Sequence, residues 1–265
     1  MVAVAHSVPA AGAPEAVAAW LATLAGSYPK EDLDTFGAAL DYARERCGNV
    51  ATRDGEPLIA RALVTATIVA GLKLDAGTVR AALLGGLPSA DAFDAEELGA
   101  RFGADVARLV AGAARMDEIR AVAPQGDAHE RAAQAERLRK MLLAMVEDIR
   151  VVLLKLAERT AALRFLMTGG AAKLELRQHA AREALELFAP LANRLGIWQL
   201  KWELEDLSLR ALEPETYKSI ARLLDERRLD RERYIEDVIA RLHRELAAAG
   251  IRAEIRGRPK HIYSI

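Results

Sequence analysis

Few residues of this chain are placed to do chemistry by spacing alone. Its five histidines, His6, His129, His179, His243 and His261, are widely separated, whereas a metal centre needs several ligands brought to one point. His129 has a carboxylate beside it, Glu130, but the pair sits in a Gly- and Pro-containing stretch from Pro124 to Glu130. His6 lies in the N-terminal tail and His261 in the closing run, and each remaining histidine reads as a surface or packing residue. The single cysteine, Cys47, excludes an intramolecular disulfide and a Cys-rich zinc site, and fits a reducing cytosol. A cationic run closes the chain: Arg252, Arg256, Arg258 and Lys260, with Ser264 beyond. Arginine can stack on a base and grip phosphate, lysine supplies a compact charge, and Gly257 would let a ligand approach the backbone. By residue type alone that run reads first as a solvated strand edge. Trp198 and Trp202, one helical turn apart, read as core or inter-domain packing. Asp225–Arg233 mixes both signs and reads as a solvated helix junction.

The elements that must position these residues are mostly helical. The chain has 265 residues, 52% of them hydrophobic but only 5% aromatic, so its core must be built from Ala, Leu, Val and Ile. Ala and Leu give up little side-chain freedom in a helix. Apolar residues recur at three- and four-residue spacing over Ala16–Ala25, Leu33–Cys47, Leu58–Gly71 and Ala76–Leu84. Pro57 suits a helix start and Asp75 an N-cap. The strongest stripe runs from Ala132 to Met167 and predicts one long central helix ended by Thr168-Gly169-Gly170. Further helices are predicted over Lys173–Leu195, Trp198–Leu212, Pro214–Leu224 and Asp230–Ala249, the last ended by Gly250. After Gly250 the period becomes two: Ile251, Ala253 and Ile255 alternate with Arg252, Glu254 and Arg256, which predicts a β-strand. The fold class expected is therefore mainly α, followed by the first strand of a second, α/β domain. Net charge is −1, from 37 basic and 38 acidic residues, which gives no reason to expect nucleic acid as a partner. No window is long and apolar enough to predict a membrane span, and the N-terminus lacks the basic start of a signal peptide.

Two runs resemble one family closely: Leu187–Leu212 (LFAPLANRLGIWQLKWELEDLSLRAL) and Gly257–Ile265 (GRPKHIYSI). Both are similar to RelA/SpoT proteins, and weaker colinear similarity covers Gly55–Leu166. The resemblance implies an HD-type helical hydrolase domain over residues 15–196 after a disordered tail, 1–14. It implies connecting helices over 197–250 and the start of a nucleotidyltransferase-like synthetase domain over 251–265, cut off as it begins. Family hydrolases remove the 3′-diphosphate of (p)ppGpp with Mn²⁺, which lowers the pKa of a bound water. The ligand positions are altered here. Arg61 stands at the first His position, Gly85 and Gly86 at the His-Asp pair, Ser89 and Ala90 at the acidic pair that follows, and Glu158 at the later Asp. A guanidinium has no lone pair to give a metal, so Mn²⁺ is not expected and the domain is expected to be a regulatory scaffold, as in the RelA branch.

The second run is similar to the opening of the synthetase ATP motif. The resemblance assigns ATP contacts to Arg258, Lys260 and Ser264, with Gly257 beside them. In the complete protein it implies pyrophosphoryl transfer from ATP to GTP or GDP with Mg²⁺, and a cytoplasmic location. Ribosome contact would need the family's C-terminal half. This chain is not expected to catalyse by itself. The alternative function is a metal-independent module that binds a guanosine nucleotide or a partner. A third, an active HD-type metallohydrolase, is opposed by Arg61, Gly85 and Gly86.

Overall fold

The computed structural model describes residues 14–120, 148–169, 173–226, 228–255 and 262–264. Twelve α-helices are labelled in chain order, and the first six lead up to Arg120: α1 Pro14–Leu24, α2 Lys30–Cys47, α3 Leu58–Gly71, α4 Ala76–Leu84, α5 Ala95–Phe102 and α6 Ala104–Arg120. Then come α7 Ile149–Thr168, α8 Leu174–Glu183, α9 Ala189–Arg194, α10 Trp198–Leu212, α11 Pro214–Glu226 and α12 Arg228–Ala248. Among the described residues the only β-pairing is an isolated bridge between Ala51 and Pro57. No described helix is long and apolar enough to cross a membrane.

The mainly helical fold follows from which helices are apolar all round. In α3, Leu58, Ile59, Ala62, Leu63, Ala66, Ile68, Val69 and Ala70 are buried, and so is Arg61. A helix buried on every face belongs at the centre of a domain. It packs there against α4 and α7, and α7 also buries residues along its whole length, from Val151 to Leu166. With so few aromatics, Ala-rich faces let these helices approach closely, and the aromatics that are buried, such as Phe36 and Trp20, join the same core. Trp20 of α1 donates from Nε1 to Thr67 Oγ1 at 2.9 Å, and the Tyr28 hydroxyl donates to the Leu74 carbonyl at 2.6 Å. These bonds satisfy the polar ends of otherwise buried rings. Caps fix the helix starts: Asp75 accepts from the Thr78 N–H, Asp94 from Glu96 and Glu97, and Asp148 from Arg150.

Three expectations are corrected. The long helix does not run unbroken from Ala132: Asp148 is extended (φ −127°, ψ 116°) and caps a helix that begins at Ile149. Leu138, Met141, Leu142 and Met145 of the predicted stripe lie outside the described residues. The helix expected over Lys173–Leu195 contains a π-turn at Ala184–Phe188, where the Ala189 N–H reaches the Ala184 carbonyl. Pro190 explains it: a proline has no N–H for the Glu186 carbonyl and its ring crowds that carbonyl, so the backbone widens just before it. The strand expected after Gly250 does not form in residues 251–255. A strand is held by hydrogen bonds to a neighbour, and no described segment pairs with this one.

Candidate functional site

A small cavity of about 70 Å³ opens between the turn before α3, α3 itself, the end of α4, α6 and α7. Arg61, Gly85, Gly86, Ser89 and Glu158 all line it. Ala90 is half-buried beside them, packed against the core. Positions up to 97 residues apart in the chain are thus gathered at one place by α3, the α4 end and α7. Gly86 is tightly enclosed: a Cβ there would come within 3.2 Å of the Leu58 Cβ and 3.5 Å of Cys47 Sγ.

The cavity's charges are paired internally. Residues 52–57 form a tight turn in which Thr52 N–H donates to the Glu56 carbonyl at 2.8 Å and Gly55 adopts φ +80°, a conformation suited to glycine. The turn delivers Glu56 and Asp54 to Arg61. Arg61 Nε donates to Glu56 Oε2 in a very short contact, and its NH2 lies 3.4 Å from Asp54 Oδ2. Burial pushes the Glu56 carboxyl above the ordinary carboxylate range, and Arg61 only partly offsets this. On the other side, the Lys155 ammonium is buried at 3% exposure and donates to Asp117 Oδ2 at 2.6 Å and to Glu158 Oε2. Burial pulls the ammonium down, but Glu158 and Asp117 more than reverse it, so Lys155 is held above its usual range. Arg159 extends the network, reaching Asp117 Oδ1 at 3.3 Å and Glu183 at 3.8 Å and lying over the Phe188 ring in the π-turn.

Sequence reading missed Asp54, Glu56, Asp117 and Lys155. Lys155 did carry a signal: it interrupts the apolar run Val151–Ala157 in the middle of a buried helix. Asp117 carries none, being brought in by α6 from 38 residues away. Among the described residues no group of three or more His, Cys, Asp or Glu is placed to hold a metal ion.

The other predicted site is only partly described. Ser264 lies half-buried in a 3₁₀ turn, Ile262–Ser264, next to Tyr263, whose N–H donates to Asp206 Oδ1 at 3.0 Å. Gly257, Arg258 and Lys260 lie outside the described residues. A broad hollow of about 480 Å³ lies between His243 and residues 252–255, with Arg252 of the cationic run in its lining. Trp198 and Trp202 stack with ring centroids 6.0 Å apart, but Trp198 is 47% exposed, so the pair is not core.

Residues 39–198, which contain every position of the small cavity, match the HD domain family. The chain is 46% identical over 212 residues to the GTP pyrophosphokinase of Escherichia coli (strain K12), covering 80% of this chain and 28% of that protein. It belongs to the HD-domain family, in its RelA/SpoT group. A GTP pyrophosphokinase of Myxococcus xanthus is 38% identical over 243 residues, covering 92% of this chain and 31% of its own length. The bifunctional (p)ppGpp synthase/hydrolase SpoT of Escherichia coli (strain K12) is 37% identical over 237 residues, covering 89% and 32%. The chain thus spans about 28–32% of the length of these curated RelA/SpoT relatives. A solved structure of a metazoan ortholog of SpoT that hydrolyses ppGpp aligns with a TM-score of 0.46 at 22% identity, over 70% of this chain and 98% of that one.

Proposed function

We propose that this RelA/SpoT chain supplies a non-hydrolysing HD module to a GTP pyrophosphokinase. The carrying observation is the pairing inside the cavity: Arg61 is held by Glu56 and Asp54, and Lys155 by Asp117 and Glu158. A divalent manganese ion wants oxygen and imidazole donors with free lone pairs. Here the carboxylates are engaged by two fixed cations, no histidine among the described residues lines the cavity, and two glycines offer no donor side chain. The donor set does not fit the metal, so no hydrolytic step is assigned to it. The space supports a scaffold over the alternative guanosine-nucleotide site as well. About 70 Å³ is far below the roughly 300–1,000 Å³ of ligand pockets.

In the complete protein, Arg258, Lys260 and Ser264 would contact ATP beside Gly257, for transfer of the β,γ-pyrophosphoryl group to the 3′-hydroxyl of GTP or GDP with Mg²⁺. Such chemistry rests on positioned phosphates and cationic stabilisation, of which this chain carries a part. Purified chain incubated with ppGpp and Mn²⁺ is expected to release no pyrophosphate, and with ATP, GTP and Mg²⁺ to form no ppGpp. Clear pyrophosphate release would sink the non-hydrolytic reading. Saturable micromolar ppGpp binding by calorimetry without metal would favour the nucleotide-binding alternative.

A further inference from the structure

We propose that Asp206 of α10 is a positioning residue for the ATP-contacting run: it holds the backbone of residues 262–264 against α10 and α11 and so sets where Ser264 stands. The inference rests on the reading of Ser264 as an ATP contact and says what places it. The joining contact is between residues 57 apart in the chain: the Tyr263 N–H donates to Asp206 Oδ1 at 3.0 Å. A carboxylate that accepts from a backbone N–H makes a stronger bond than a neutral oxygen does. The bond grips main chain, and the Tyr263 side chain is left 42% exposed. It therefore fixes the path of the 3₁₀ turn Ile262–Ser264, in which Ser264 is the next residue along. The turn packs on both α10 and α11, and Asp206 lies in the angle between these helices. Tyr217 of α11 marks that place: burial pushes its hydroxyl up, and the nearby Asp206 carboxylate adds to the shift.

Asp206 can hold a position because its own helix is held. Helix α10 packs against α7 and α8. Its Leu200, Leu204 and Ser208 are buried, and Arg164 of α7 donates to both carboxylate oxygens of Glu203, one turn before Asp206. A site group is placed accurately when its support is a rigid element. Charge opposes a direct contact between Asp206 and ATP, since a carboxylate repels a triphosphate. The carboxylate therefore acts on the backbone beside Ser264 and not on the nucleotide.

Asp206→Ala removes the acceptor, and Asp206→Asn keeps an amide oxygen in its place. In this chain, amide exchange followed by NMR is expected to speed up about tenfold at Tyr263 in Asp206→Ala. It is expected to return close to wild type in Asp206→Asn, and to be unchanged in α7 and α10 in both variants. In the complete protein, Asp206→Ala is expected to raise the KM for ATP about tenfold, while the KM for GTP and the melting temperature stay at wild-type values. Asp206→Asn is expected to restore most of the loss. A merely structural role would neither separate the two substrates nor respond to the Asn variant. Ser264→Ala in the same protein reads the ATP assignment by itself. If Ser264→Ala raises the KM for ATP and Asp206→Ala does not, the positioning role is refuted and the ATP reading stands. Unchanged Tyr263 exchange in Asp206→Ala, or an Asn variant as poor as the Ala one, refutes it as well. If neither Ser264→Ala nor Asp206→Ala moves the KM for ATP, both fall.

Discussion

Arg61 carries its charge into the interior and is met there by Glu56, which is equally buried, and by the more open Asp54. The cost of such a pair lies in breaking it, since one partner left alone is an uncompensated buried charge. Arg61→Leu is therefore expected to destabilise the chain by about 3–5 kcal/mol, and Arg61→Leu with Glu56→Leu to recover most of that loss. Urea denaturation of the single and double variants reads this directly, and equal losses in both would show that the pairing is irrelevant. Arg61, Gly85, Gly86, Ser89 and Glu158 were legible because each falls in a motif whose neighbours keep their pattern. Glu56 was visible only as part of a turn. Its partnership with Arg61 depends on how residues 52–57 fold back, through Thr52 and a glycine at positive φ.

Helix α7 shows how one element is fixed from its first turn. Asp148 caps it, and Arg150, two residues on, donates to Asp148 and to both Asp105 oxygens of α6, at 2.8 and 2.9 Å. These bonds tie the start of α7 to α6, the two helices that bring Lys155 and Asp117 together. The hydrogen bonds from Arg150 hold the Asp148 and Asp105 carboxyls below their ordinary range. An acid with a depressed folded pKa contributes stability above its unfolded value, and that stability is lost as pH falls through the folded one. Both groups are partly exposed, so Arg150→Met is expected to cost only about 1 kcal/mol at neutral pH. The gap to wild type should narrow as pH drops below about 4; chemical denaturation at a series of pH values checks it, and a gap that widens in acid would refute the clamp. The helices Leu58–Gly71, Ala76–Leu84 and Trp198–Leu212 were readable to the residue from apolar period, Pro57, Asp75 and Pro214. The break at Asp148 was not, because an apolar stripe on both sides of it masks an N-cap whose partner is the next helix turn. The π-turn was hidden for a related reason: Pro190 was read as one more helical residue, although its missing N–H had to be absorbed somewhere.

Across the whole molecule the described helices differ in how they are held. From Val17 to Ala211 buried residues form one core, with α3 and α7 at its centre. Helix α12 is another matter. None of its residues whose side chains are described is buried, and Tyr234, Val238 and Leu242, spaced by four, are all exposed. A helix of this kind has local propensity and side-chain pairs to support it, and isolated helices are marginal in water. Amides at the centre of α3 and α7 can exchange only when the core opens, whereas those of α12 need only local fraying. Native-state hydrogen exchange of this chain is therefore expected to show α12 exchanging about a thousandfold or more faster than α3 and α7, given core stabilities of several kcal/mol. Because the two groups of amides report different openings, mild urea should accelerate α3 and α7 together and leave α12 nearly unchanged. If α12 is protected to the level of α7 and responds to urea with it, the helix is part of the cooperative core after all, and its Tyr234, Val238 and Leu242 face must be buried in solution.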